Sequence, residues 1–223
     1  MPAGQEQTTV RLEDNPDWWS GRSLADSYEP IQPPQERELP SSNFQVLGIE
    51  LDDAMFDRAA TKLGKATHVE RGDASTGRDQ VCYVSTGGNE KVYLIFERGE
   101  VDFTFFLFTG GPSWNGIDRC VASNLVSLSS STASGLHLGL TRAQIIAILG
   151  PPTSRSANEL NYSVHVRKKL PPAELRELRQ QHRDLSDGEF MENYGEYDLN
   201  AGVDLKFVHS KLSFLCISKS ETN

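Results

Sequence analysis

No stretch of this 223-residue chain approaches the roughly 20 consecutive apolar positions of a membrane-spanning helix. No basic, apolar, small-residue signal opens it, and the start Met1-Pro2-Ala3-Gly4 is compatible with a domain whose signal has been removed. Positive charge is in deficit: 22 Lys and Arg stand against 31 Asp and Glu, a net charge of −9. That argues against nucleic acid or an anionic membrane as a partner, since either needs a basic face. Its plainest reading is solubility. The three cysteines (Cys82, Cys120, Cys216) are too few and too scattered for a zinc ribbon or a CxxC pair. They leave one disulfide with one free thiol, or three buried thiols. The five histidines show no HxxxH or HExxH spacing, so no metal site is expected. No glycine-rich phosphate loop follows a strand pattern, so no cofactor is expected either. Gly111-Pro112-Ser113-Trp114-Asn115 misses the nucleophile elbow at its fifth position. The Arg71-Gly72-Asp73 tripeptide and the Asn161-Tyr162-Ser163 sequon read as chance matches.

What is present is a repetition. Val92-Tyr93-Leu94-Ile95-Phe96 followed by Val101-Asp102-Phe103-Thr104-Phe105 matches Val203-Asp204-Leu205-Lys206-Phe207 followed by Leu212-Ser213-Phe214-Leu215-Cys216. Leu47-Gly48-Ile49 and Leu63-Gly64 are echoed by Leu138-Gly139-Leu140 and Leu149-Gly150-Pro151-Pro152. Duplication at this scale speaks to architecture before any single residue does.

Residues 1–43 carry four prolines after Tyr28 and no strand or helix period, so they read as an extended or partly disordered leader. Trp18 and Trp19 stand out in it, because a polar leader seldom carries two tryptophans without docking them. Residues 44–128 form the first unit, 129–137 a serine-rich linker and 138–223 the second unit. In the first, Asp52 or Asp53 caps a helix whose Met55, Phe56, Ala59, Ala60 and Leu63 share a face, and Gly64 stops it. A short strand follows at 80–85, then a hairpin turning at Arg98-Gly99, then a fourth strand over 119–128. In the second unit, Thr141 caps a helix ended by Gly150-Pro151-Pro152, and a short strand follows at 160–166. Nine positions separate Tyr83 from Val92, whereas 41 separate Tyr162 from Val203. The excess begins with Pro171-Pro172 and carries Leu175, Leu178, His182 and Leu185 in one stripe. An inserted, peripheral helix over about 171–187 is expected there.

The string Leu138-Gly139-Leu140-Thr141, with Ile148-Leu149-Gly150-Pro151-Pro152-Thr153 and Lys211-Leu212-Ser213-Phe214, resembles the β-lactamase inhibitor protein-like repeat. It is also similar to small outer-membrane assembly lipoprotein domains of related plan. The resemblance implies an α+β fold of two tandem units, each helix–loop–helix plus antiparallel strands. It further implies that the two sheets join into one curved sheet with helices on one face. By the same resemblance the protein is a periplasmic or secreted binding protein rather than an enzyme. No target is carried over, because fold does not imply function.

Strand alternation sorts the hairpins into two faces. Val92, Leu94, Phe96, Val101, Phe103 and Phe105, with Val203, Leu205, Phe207, Leu212, Phe214 and Cys216, are expected under the helices. Tyr93, Ile95, Thr104, Phe106, Phe108, Lys206, Leu215 and Ile217 are expected on the other face. There they form a mixed surface for a protein partner or a second copy of this chain. Two alternatives stand beside this reading. One is a hydrolase with a cleft between the sheet and the inserted helix, using some of Asp198, Asp204, His165 and His209. The other is a structural envelope lipoprotein.

Overall fold

A computed structural model describes residues 29–36, 38–71, 77–87, 91–110 and 120–222. Twelve strands and four α-helices are formed among them, an α+β fold in which ten strands make one large sheet. Trp18, Trp19 and Trp114 lie outside the described residues.

The first helix, α1 (Met55–Leu63), forms where apolar positions recur at helical spacing. Met55, Phe56, Ala59 and Leu63 are buried, with Ala60 half-buried, and Asp57, Arg58 and Lys62 face outward. Its N-cap is Ala54 rather than an aspartate; Asp52 instead accepts a bond from the Ala54 N–H at 2.8 Å. Gly64 ends the helix at φ +106°, a conformation that glycine reaches without a Cβ penalty. The second helix, α2 (Arg142–Leu149), starts on a capping box between Thr141 and Gln144 and ends at Gly150, φ +83°.

The central strands are β5 (Arg78–Ser85), β6 (Lys91–Arg98), β7 (Asp102–Gly110), β10 (Glu159–Lys169), β11 (Glu196–Val208) and β12 (Lys211–Thr222). Their order is β10-β11-β12-β7-β6-β5, antiparallel throughout. β5 and β10 are longer than the short strands expected from the sequence. The β6–β7 and β11–β12 hairpins meet along the β12–β7 seam, where Cys216 pairs with Phe106 and Ser218 with Thr104. At each side the outer strand is covered only in pieces. β5 is flanked by β4 (Val69–Arg71) and, in parallel, by β8 (Val121–Ser123). β10 is flanked by β9 (Ser154–Arg155), which β1 (Glu29–Pro30) joins, and by a bridge from Gln35. Short, broken edges of this kind discourage pairing with a foreign strand. A separate two-stranded sheet, β2 (Gln45–Val46) with β3 (Ile49–Glu50), turns at Leu47-Gly48.

The main core lies between one sheet face and α1 and α2. Val92, Leu94, Phe96, Phe105, Val203, Leu205 and Leu212 sit there with Met55, Leu63 and Ile145. Fully burying one such side chain contributes about 1.5–3 kcal/mol. The same hydrogen bond occurs twice. The Tyr83 hydroxyl donates to the Gly64 carbonyl and that of Tyr162 to the Gly150 carbonyl, both at 3.0 Å. Each joins a fully buried tyrosine of a sheet strand to the stop of a helix.

Five further expectations are refined or corrected. Among the described residues 120–128, only 121–123 are in a strand, because turns follow at once. The serine-rich 129–137 is packed rather than spanning space: Thr132 bridges Val46, and Leu136 is fully buried. The leader's described part docks, with β1 on β9 and Leu39 buried. The insertion holds two helices, α3 (Pro172–Gln181) and α4 (Asp187–Tyr194), both peripheral except for Phe190.

The fifth correction concerns the sheet faces. Lys206 pairs with Phe214 while Phe207 pairs with Leu212, so Ser213 is an extra residue, a β-bulge. An extra residue reverses every later side chain. Leu215 and Ile217, placed on the outer face by simple alternation, are fully buried in the main core. Phe214 and Cys216, placed in that core, project to the other side.

Candidate functional site

The face away from α1 and α2 has two halves. In one, Ile95, Phe108, Phe214 and Cys82 form a second apolar cluster, with Tyr93, Phe106, Cys120 and Cys216 packed against it. Tyr93 stacks on Phe108 at 5.4 Å. A disulfide joins Cys82 to Cys120, and Cys216 keeps a free thiol. Burial, with the charges of Asp204 and Glu97, pushes that thiol well above its ordinary value, so it is a poor nucleophile. Of the residues proposed from sequence as a binding surface, Ile95 and Phe108 have no exposed area and Thr104 has 6%. Tyr93, Phe106 and Lys206 are half-buried. With Leu215 and Ile217 on the opposite face, the eight do not make an open apolar patch.

The other half is polar. Strand register lines up Gln80, Glu97, Thr104, Ser218, Gly202 and Ser163 across the sheet. The next row holds Asp102, Ser220, Asn200 and His165. Small side chains along both rows leave a groove of about 420 Å³ over Ser163, Gly202, Ser218, Ser220, Asn200 and Asp102. Gly202 is part of its floor; a Cβ there would come within 3.2 Å of the Ser218 hydroxyl. One end is organised by Arg78, which bonds Asp102 and lies 4.0 Å from Glu97. At the other, His165 Nδ1 lies 2.8 Å from Asn200 Oδ1 and Nε2 lies 3.9 Å from Asp198 Oδ1. Beyond the groove Asn161 donates to Asp204 at 2.6 Å, and Lys206 pairs with Glu159 at 2.9 Å. Burial raises the Asp204 carboxyl, opposed by the Asn161 bond.

Of the four residues named for a hydrolase, the fold brings His165 and Asp198 together. Asp204 lies rows away on the same strand, and His209 sits in the β11–β12 turn. A cleft of about 430 Å³ does lie beside α3, lined by Val101, Leu170, Leu178, Tyr197, Glu174 and Glu221 among others. None of the four lines it. Among the described residues no Ser, Thr or Cys side chain is hydrogen-bonded to a histidine, which a base-activated nucleophile requires. Nor do three or more His, Cys, Asp or Glu there group as metal ligands, and no helix there is long and apolar enough to cross a membrane.

Sequence reasoning missed the groove because serines and a glycine at strand positions match no motif. Gly202 within a strand pattern was the available signal, since an interior glycine often marks a close approach of another group. No family model, no curated protein and no solved structure matches the chain.

Proposed function

We propose that this is an exported, non-enzymatic binding protein built from two copies of one αβ unit. On this reading it engages a protein partner through the polar half of the helix-free sheet face. The carrying observation is the groove over Ser163, Gly202, Ser218 and Ser220, rimmed by Asp102, Asn200 and His165. It offers hydroxyls, an amide and a carboxylate on a rigid sheet. The paired Tyr83–Gly64 and Tyr162–Gly150 bonds support duplication, in line with the resemblance to β-lactamase inhibitor protein-like repeats. The Cys82–Cys120 disulfide supports an oxidising compartment, hence periplasm or secretion. The net charge of −9 disfavours nucleic acid as the partner.

A Ser218→Arg variant tests this by filling the groove from a half-buried position. Immobilised full-length protein should capture a defined extracytoplasmic partner, and the variant, with an unchanged unfolding midpoint, should lose it by at least about tenfold, or 1.4 kcal/mol. Equal capture by both proteins refutes the groove as the binding site. The hydrolase reading draws on the His165–Asn200–Asp198 cluster beside the same groove. Substrate turnover abolished by His165→Ala, with partner capture unchanged, would favour it instead.

A further inference from the structure

The inserted helix α3 stands off from the sheet it rises from. It carries Leu175 and Leu178, yet none of its residues is buried. Its base is fixed. The Leu170 N–H donates to the Gly195 carbonyl at 3.0 Å, which ties the two ends of the insertion together, and Pro171 precedes the first turn. Its flank is braced by α4, since Arg179 pairs with Asp187 at 2.8 Å and lies over the Phe190 ring at 5.1 Å. A helix with an apolar stripe is ordinarily packed along it. Here Leu178 instead borders the cleft of about 430 Å³ between α3 and the end of the sheet.

That cleft lies apart from the polar groove. Adjacent strand residues project to opposite faces. Tyr197 therefore shares the face of Val203, and Glu221 that of Ile217, both in the main core, whereas Asn200 and Ser220 face the groove. The size of the cleft falls within the roughly 300–1,000 Å³ of small-molecule sites, which combine apolar walls with a few polar groups. Val101, Leu170 and Leu178 supply the apolar walls, Tyr197 an aromatic one, and Glu174 and Glu221 the polar groups. The acids come from different elements, α3 and β12. Among the described residues neither has a basic partner. Lys168 is near enough that the charge of Glu221 adds to the effect of the Glu38 bond in raising its pKa, but its ammonium is held by Glu38 at 2.7 Å. An apolar hollow with an aromatic wall and two unpaired carboxylates suits a cation, and a net charge of −9 draws cations toward it.

We propose that the cleft beside α3 binds a small free organic cation, an ammonium or guanidinium carried on an apolar body. The body packs on Leu170, Leu178 and Val101, and the charged head meets Glu174 and Glu221. Exposed ion pairs contribute little by themselves, so the apolar walls supply the affinity and the acids the selectivity. The ligand completes the packing that α3 lacks.

The test is an NMR titration of the full-length protein with n-hexylamine, which is cationic at neutral pH, beside 1-hexanol and hexanoate. Hexylamine should give saturable shifts centred on the amides of Leu178, Tyr197 and Glu221, with the alcohol and the carboxylate binding at least about tenfold more weakly. Glu174→Gln/Glu221→Gln changes two exposed side chains, so the fold should be kept. It should weaken hexylamine at least about tenfold and leave hexanol unchanged. Shifts that never saturate, equal binding of amine and alcohol, or unchanged amine binding in the double variant each overturn the proposal. Ser218→Arg, in the groove, should leave hexylamine binding intact, and its loss there would place the probe in the groove and overturn the assignment to the cleft. A Gly-Gly-Lys-Gly-Gly peptide should bind at least about tenfold more weakly than hexylamine. Equal binding would give the cleft to a side chain of a protein partner and overturn the assignment to a free ligand.

Discussion

The two halves of this sheet are supported differently. In each, a buried tyrosine holds the stop of a helix through one hydrogen bond, with the same 3.0 Å length. Around that shared joint the support diverges. α1 is amphipathic and buries four side chains in the core, while α2 buries Ile145 alone and packs the half-buried Leu149 beside it. The first half adds the Cys82–Cys120 disulfide on the far face, whereas the second adds longer strands and the α3–α4 insertion. The strand-to-helix joint is thus compatible with quite different helices. The energy that fastens a helix to the sheet depends on which of its faces finds apolar partners, not on how apolar it is.

Three measurements would break or sharpen this contrast. The largest effect is expected from Met55→Ala in α1, a fully buried site. It should destabilise the protein by about 2–5 kcal/mol, whereas Ile148→Ala on the outside of α2 should change stability by less than about 1 kcal/mol, both read by urea denaturation. Comparable losses at the two sites would mean that α2 is held as firmly as α1. Next, Cys82→Ala/Cys120→Ala should cost about 2–4 kcal/mol. Native-state hydrogen exchange should then quicken in β5 and β6 before β10 and β11, and uniform quickening would show that the halves open as one unit. The smallest effect belongs to the joint itself. Tyr83→Phe and Tyr162→Phe should each cost about 1–3 kcal/mol, because a buried glycine carbonyl loses its donor.

The joint also predicts a pH dependence. Burial pushes the Tyr83 hydroxyl up to about 12 and raises that of Tyr162 as well. The folded protein therefore holds these protons more tightly than the unfolded chain, whose tyrosines titrate near about 10. Their contribution should be intact below about pH 10 and fade as the pH rises toward 12. The double Phe variant should show a shallower loss of thermal stability over that window.

The sheet was largely legible from the chain because alternation is a local property. Val92, Leu94 and Phe96, and likewise Val203, Leu205 and Phe207, lie on the face their pattern assigns. Legibility failed at Ser213, where one added residue reversed all that followed. Nothing in its composition distinguishes that serine from its neighbours, since a bulge is imposed by pairing with Lys206 and Phe207. α4 lies beyond the expected helix, although Ser186-Asp187-Gly188-Glu189 at its start is a capping-box string. The pairing of Cys82 with Cys120 depends on strand neighbours far apart in sequence, and spacing alone does not specify it. The groove depends on what is missing from the side chains, so only the assembled register reveals it.

The seam between β7 and β12 sets an order of events during synthesis. Lys211, the first residue of β12, leaves the ribosome roughly a hundred residues after Gly110, the last of β7. At 5–20 residues per second this is a delay of roughly 5–20 s. Throughout that interval the β6–β7 hairpin presents an unsatisfied strand edge, with Phe105 and Leu107 still short of their final partners. Even a late truncation, one that removes β12 alone, would leave the centre of the sheet open rather than trimming its rim.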